Sequence, residues 1–145
     1  MNTLRQFLKG KSYKRIALSY TKTNHFEVKA KLNGIEGNFI LDTGASNSCV
    51  GFDVIEKFNL STEESDVKAA GAGATDMLTR IAKKNTIQIN DWSRQRISLI
   101  LFDLTHVNTA LMGHDAEPVD GIIGADILKK GKAIIDYERN CVYLK

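Results

Sequence analysis

From Phe26 to Leu32 the chain alternates strictly: Phe26, Val28, Ala30 and Leu32 are apolar, and Glu27, Lys29 and Lys31 between them are charged. Successive strand side chains point to opposite faces, so this pattern predicts a half-buried strand. It runs into Asn33-Gly34, a pair suited to positive φ, which predicts a tight hairpin turn. Phe39-Ile40-Leu41 is the returning strand. Ile16, Leu18 and Tyr20 alternate in the same way upstream. Thr86–Asn90 and Arg96–Phe102 predict two more strands about a turn at Asp91-Trp92-Ser93. After Gly44, the run Ala45–Val50 is compatible with a continuing strand.

Helical spacing is brief. Leu4, Phe7 and Leu8 share a face of Thr3–Lys9, with Gly10 as the stop, and Val54, Ile55 and Phe58 share a face of Gly51–Leu60. Asp103–Met112 is ambiguous between loop and helical turn, and Gly113–Val119 reads as a loop. Asp120–Leu128 reads as a strand, a glycine turn and a short helix, and Lys132–Lys145 as a hairpin turning at Glu138-Arg139-Asn140. Val67–Ala82 is small and glycine-rich at its centre with β-compatible flanks, which predicts a mobile hairpin. Closely spaced strands with only brief helices predict an all-β, closed domain.

Composition narrows the function classes. A chain of 145 residues, 43% hydrophobic and 26% charged, has the makings of one domain with a real core. Its net charge of +3 is small and its lysines are scattered, so no nucleic-acid partner is expected. No stretch approaches the roughly 18–20 apolar residues of a membrane span, so no membrane partner is expected. Met1–Arg15 is basic but lacks the continuous apolar centre of a secretory signal, which points to the cytoplasm. Cys49 and Cys141 match no metal-site spacing. They read as two free, buried thiols, with a disulfide between them left open by sequence alone. His25, His106 and His114 lie apart without ligand-like companions, so no metal and no cofactor is expected.

The candidate chemistry gathers where the apolar run ends in Asp42-Thr43-Gly44. A carboxylate in an apolar setting is costly when charged. Two such groups facing each other hold one shared proton, so the ionised one can take a proton from water while the other donates to a carbonyl. Gly44 lets the backbone turn closely and aim its N–H at the carboxylate, and Thr43 offers a hydroxyl to a neighbouring loop.

Together these residues resemble the retropepsin-like aspartic proteases, including their bacterial and retrotransposon-type members. The resemblance rests on the motif Ile40–Ser46, the Asn33-Gly34 hairpin leading into it, the glycine-rich flap candidate Ala69–Ala74, and the apolar-apolar-glycine turn of Ile122-Ile123-Gly124 with its following helix. It spans roughly Phe26–Leu144, dividing the chain into an N-terminal extension (residues 1–25) and a protease domain (residues 26–145). It implies a closed acid-protease β-barrel lobe with one or two short helices and a flap hairpin. It also implies a homodimer, with two copies of Asp42 meeting at a two-fold axis. By the same resemblance Thr43 bonds across the axis and Gly44 holds the dyad flat. Ala69, Ala70, Gly71, Ala72, Gly73 and Ala74 fold over an extended peptide bound as an added strand. Ile122, Ile123 and Gly124 wall the site and support the Asp42 loop. The implied partners are a second copy of the chain and a peptide or protein substrate.

The chain departs from the family in places. About 40 residues precede Asp42, more than in the retroviral enzymes, and the hairpin after Leu128 is fuller. The flap candidate has no aromatic near its tip. Ala45 follows Gly44, where pepsin-like enzymes often carry serine, which removes a hydroxyl able to stabilise the ionised dyad. Activity is therefore expected at mildly acidic to near-neutral pH.

Competing readings are weaker. Asp42 as a simple turn aspartate leaves the second motif unexplained. Gly71 and Gly73 lack the third glycine of a dinucleotide loop, and Gly10-Lys11-Ser12 lacks the upstream glycine of a P-loop. Asp120 is not followed by Thr-Gly and reads as a turn or cap residue, Asp126 as an early-helix acid. The leading function is an aspartic endopeptidase. The alternatives are a catalytically weak or inactive peptide-binding or dimerisation module on the same fold, and a monomeric β-barrel binder whose motif is coincidental.

Overall fold

The computed structural model describes residues 2–64, 69–71, 74–77 and 79–145, with the backbone alone for 69–71 and 74–77. A capped helix, α1 (Leu4–Gly10), opens the chain: the Thr3 hydroxyl accepts the Gln6 N–H, and the Gln6 side chain answers to the Thr3 N–H. Strands β1 (Lys14–Ala17) and β2 (Ser19–Tyr20) follow, then β3 (Phe26–Leu32) and β4 (Ile35–Leu41). The β3–β4 hairpin pairs in full register from Phe26–Leu41 to Leu32–Ile35. Asn33 and Gly34 both take positive φ at its tip, 52° and 84°, as the sequence predicts.

The chain then runs through the short strand β5 (Cys49–Val50), a 3₁₀ turn (Phe52–Val54), β6 (Thr62–Glu64), and the hairpin β7 (Ala69–Gly71) and β8 (Ala74–Met77). Two long strands, β9 (Arg80–Ile89) and β10 (Trp92–Leu101), lead to helix α2 (Thr105–Gly113). Strand β11 (Gly121–Ile123), helix α3 (Ala125–Lys130), β12 (Ile134–Asp136) and β13 (Cys141–Leu144) complete it.

Six strands close a barrel in the order β3-β4-β11-β5-β10-β9, shut by pairing of Leu32 with Ile87 and Lys31 with Gln88. Strands β2 and β6 extend the same sheet at β3 and β9. A separate sheet, β1-β13-β12, stands beside it, and α1 places Leu8 against Cys141 and Tyr143 there. The barrel core holds Leu32, Phe39, Phe58, Ile87, Ile97, Leu101 and Ile123, each almost wholly buried. Full burial of such a side chain is worth about 1.5–3 kcal/mol.

Three expectations need correction. Gly51–Leu60 is not a helix: beyond the 3₁₀ turn it continues in turns, and Asn59 takes a left-handed φ of 54°. Val54, Phe58 and Leu60 are spaced for the barrel core instead of a helix face. Ala45–Val50 is largely turn and bend, with a strand only at Cys49–Val50. The β9–β10 turn falls at Asn90-Asp91, because Trp92 already pairs with Ile89 and is buried. Asp103–Met112, ambiguous by sequence, holds helix α2 from Thr105 onward; Leu104 is its N-cap without a side-chain cap bond, and the Asp103 carboxylate just before it accepts the Thr105 N–H at 2.8 Å.

Candidate active site

Strand β11 lies between β4 and β5, parallel to the first and antiparallel to the second. The chain leaving β4 must therefore cross the end of β11 to reach β5. Asp42 is the first residue of that crossing, and its N–H donates to the Ile123 carbonyl at 2.9 Å, continuing the ladder by one bond. The next turn closes back on Asp42. The Gly44 N–H donates to its carboxylate Oδ1 at 2.8 Å, and the Ala45 N–H to its carbonyl at 3.2 Å. Asp42 is half-buried, and Thr43 and Gly44 are exposed.

The loop is clamped from below. Ala45 offers its carbonyl to the Ala125 N–H at 2.7 Å. A Cβ on Gly124 would lie 2.5 Å from that same carbonyl oxygen, so only glycine permits the approach. Ser48, fully buried, accepts the Gly124 N–H at 2.8 Å and donates its hydroxyl to Asp126 Oδ1 at 2.6 Å. The Ser48 N–H meets both Asp126 oxygens at 3.0 Å, and the Ile127 N–H meets Oδ1 at 2.8 Å. Asp126 is thus more than an early-helix acid: it anchors the far end of the Asp42 loop. Ser48 was not singled out in the sequence. Its one legible mark is a small polar residue opening the apolar pair Cys49-Val50, which must find a buried partner.

Ile122 and Ile123 separate to opposite faces, as strand neighbours do. Ile122 joins Asp42, Ile40, Val107 and Leu111 in lining a pocket of about 370 Å³, with Thr23, His25 and His106 at its polar positions. Ile123 points into the core, and Gly124 lies beneath Ala45. Asp42 is the one carboxylate among the residues lining this pocket. Thr43 looks the other way, onto a shallow groove with Ala125, Leu128, Lys132, Ala133 and Ile135. Of the flap candidates, Ala69, Ala70 and Gly71 lie on β7 and Ala74 begins β8, with Gly71 paired to Ala74. Ala72 and Gly73 lie outside the described residues.

Cys49 sits beneath the site in register with Ile122. Burial pushes its thiol up to about 12, helped by the negative charges of Asp126 and Asp42 and opposed by a backbone hydrogen bond at Ile122. It is a packed, inert thiol. Cys141 is also free and buried. Among the described residues no group of three His, Cys, Asp or Glu side chains is placed to hold a metal ion, and no helix is long and apolar enough to cross a membrane.

A crossing loop with a backbone-held aspartate, clamped over an apolar-apolar-glycine strand, is the arrangement that the motif Asp42-Thr43-Gly44 anticipates. A family model described as aspartyl protease matches residues 28–127. The chain belongs to the aspartyl protease family. Solved structures place the chain among retropepsin-like folds. A retropepsin-like aspartic protease from Rickettsia conorii aligns with TM-score 0.62 at 16% identity, over 91% of this chain and 90% of that one. The protease of EIAV, complexed with the inhibitor HBY-793, aligns with TM-score 0.60 at 19% identity, over 81% and 98%. The retroviral protease-like domain of Ddi1 from Leishmania major aligns with TM-score 0.55 at 16% identity, over 82% and 85%. No curated protein matches the chain.

Proposed function

We propose that this aspartyl protease is a homodimeric endopeptidase that hydrolyses peptide bonds of extended polypeptides with an Asp42 dyad, one carboxylate from each chain. The observation that carries the proposal is the single Asp42, oriented by the Gly44 N–H at the mouth of an apolar pocket and without a second carboxylate among that pocket's residues. Half the acid–base pair is built, and an isologous partner supplies the other half by symmetry.

In the proposed reaction the ionised Asp42 takes a proton from water, whose oxygen bonds to the substrate carbonyl carbon. The protonated partner aspartate gives its proton to the carbonyl oxygen, forming a neutral tetrahedral diol. Collapse breaks the C–N bond as the amine receives a proton from one aspartate, and the diol returns a proton to the other. Gly44 fixes the carboxylate, Ile122 and Ile40 exclude water, and Ala69–Ala74 cover the substrate as a flap.

Two features suit a two-fold face beside Asp42. Thr43 and the exposed groove around Leu128, Ala133 and Ile135 lie on that side. Strand β13 is paired on both edges within the chain, whereas β1 and β12 are the outer strands of its sheet, and among the described residues the far edge of β12 is left for a second copy. The test combines solution mass by light scattering with cleavage of a peptide library by wild type and Asp42→Asn. A dimer with activity abolished in the variant is expected. A strict monomer, or cleavage unchanged in Asp42→Asn, would overturn the proposal.

A further inference from the structure

The loop joining β2 to β3 holds a directed hydrogen-bond relay that ends at the pocket beside Asp42. Thr21 is buried there, and its hydroxyl oxygen accepts two backbone donors, the Thr23 N–H at 3.2 Å and the His25 N–H at 3.1 Å. A hydroxyl has two acceptor sites and one proton. With both acceptor sites used, Thr21 must donate its proton to the Thr23 hydroxyl, 2.7 Å away. The Thr23 proton is then directed at His25 Nδ1, at 2.8 Å. In the neutral ring the remaining proton is therefore on Nε2. His25 is left with one donor, Nε2–H, and Thr23 with one unused acceptor site. Both residues line the pocket that Asp42, Ile40, Leu111 and Ile122 also line.

We propose that this pocket selects a substrate side chain with an apolar stem and a neutral amide tip, glutamine above all, beside the cleaved bond. This rests on the endopeptidase reading of Asp42. Ile40, Leu111 and Ile122 pack the stem. The amide oxygen accepts from His25 Nε2–H, on the side of the ring away from Thr23. A carboxylate tip is disfavoured because Asp42 lines the same pocket. An aliphatic side chain of equal length leaves the His25 Nε2–H unpaired, which is how sites built for hydrogen bonding reject apolar analogues. His25 thereby sets specificity, and Thr21 acts through it as a positioning residue.

The experiment compares kcat/KM for peptides that differ only in carrying glutamine, glutamate or norleucine beside the scissile bond. Wild type is expected to favour glutamine over norleucine by roughly fivefold, the worth of one net hydrogen bond. His25→Phe keeps a ring but no donor, and should abolish or invert the preference. Thr21→Val should lower the ratio, and Thr21→Ser should restore it. ¹⁵N-edited NMR of the wild-type imidazole should show the Nε2–H tautomer of His25, with a mixture in Thr21→Val. A wild-type preference for norleucine, an unchanged ratio in His25→Phe, or an Nδ1–H tautomer would overturn the inference. If wild type cleaves none of the peptides, the endopeptidase reading falls. Calorimetric affinities of the glutamine and norleucine peptides then decide the pocket by the same ratio.

Discussion

Substituting Ser48 by alanine removes two buried hydrogen bonds at once. One is charge-assisted, from the hydroxyl to Asp126 at 2.6 Å, and the other is accepted from the Gly124 N–H at 2.8 Å. A hydrogen bond to a charged group contributes about 1.5–3 kcal/mol, and an orphaned buried donor costs about 1–3 kcal/mol. Asp126 is half-exposed and keeps the Ser48 and Ile127 N–H groups, which offsets part of its loss. Ser48→Ala should therefore destabilise by about 2–4 kcal/mol. In urea unfolding at fixed protein concentration, with a slope of about 2 kcal/mol per molar, the midpoint falls by about 1–2 M. Asp126→Ala should do similar damage by orphaning the buried Ser48 N–H. Because the residues share one network, the double variant should fall short of additivity by about 1–2 kcal/mol. A Ser48→Ala midpoint within about 0.3 M of wild type, or strict additivity, would refute the clamp.

Gly124→Ala should shift the loop carrying Asp42, since its Cβ would stand 2.5 Å from the Ala45 carbonyl oxygen. The expected result is kcat/KM down by about tenfold or more, with thermal stability lowered by about 1–3 kcal/mol. Asn85 is buried, donates to the carbonyls of Ala82 and Ile97, and accepts from Asn33. Asn85→Ala should cost about 2–4 kcal/mol in the same urea assay. Cys49, raised to about 12 from an ordinary 9.0, should resist thiol reagents until the chain is unfolded. Its folded value lies above its unfolded one, so its contribution is intact below about pH 9 and is lost as pH climbs towards about 12. Cys49→Ala should flatten that alkaline decline in melting temperature.

What the sequence revealed follows the range of the forces involved. The β3–β4 hairpin was legible because alternation and Asn33-Gly34 are local, and each φ at the tip is one those residues tolerate. Asp42-Thr43-Gly44 was legible because its turn is closed by its own neighbours, with Gly44 bonding Asp42 two residues away. The Ser48–Asp126 clamp joins residues 78 apart, and no local pattern encodes it. Its existence depends on β11 lying between β4 and β5, a matter of topology. Gly51–Leu60 misled because Val54 and Phe58 satisfy helical spacing while packing into the barrel. The relay from Thr21 to His25 was missed because hydroxyl direction depends on backbone donors that only the folded loop brings together.

The proposed chemistry needs one aspartate per chain to act as half of a pair. Its most direct measurement is the stoichiometry of a statine-type transition-state mimic, read by native mass spectrometry. Such a mimic binds where both carboxylates converge. The expected species is two chains with one inhibitor, and Asp42→Asn should lose the inhibitor while remaining a dimer. One inhibitor bound to each separate chain would contradict the shared dyad.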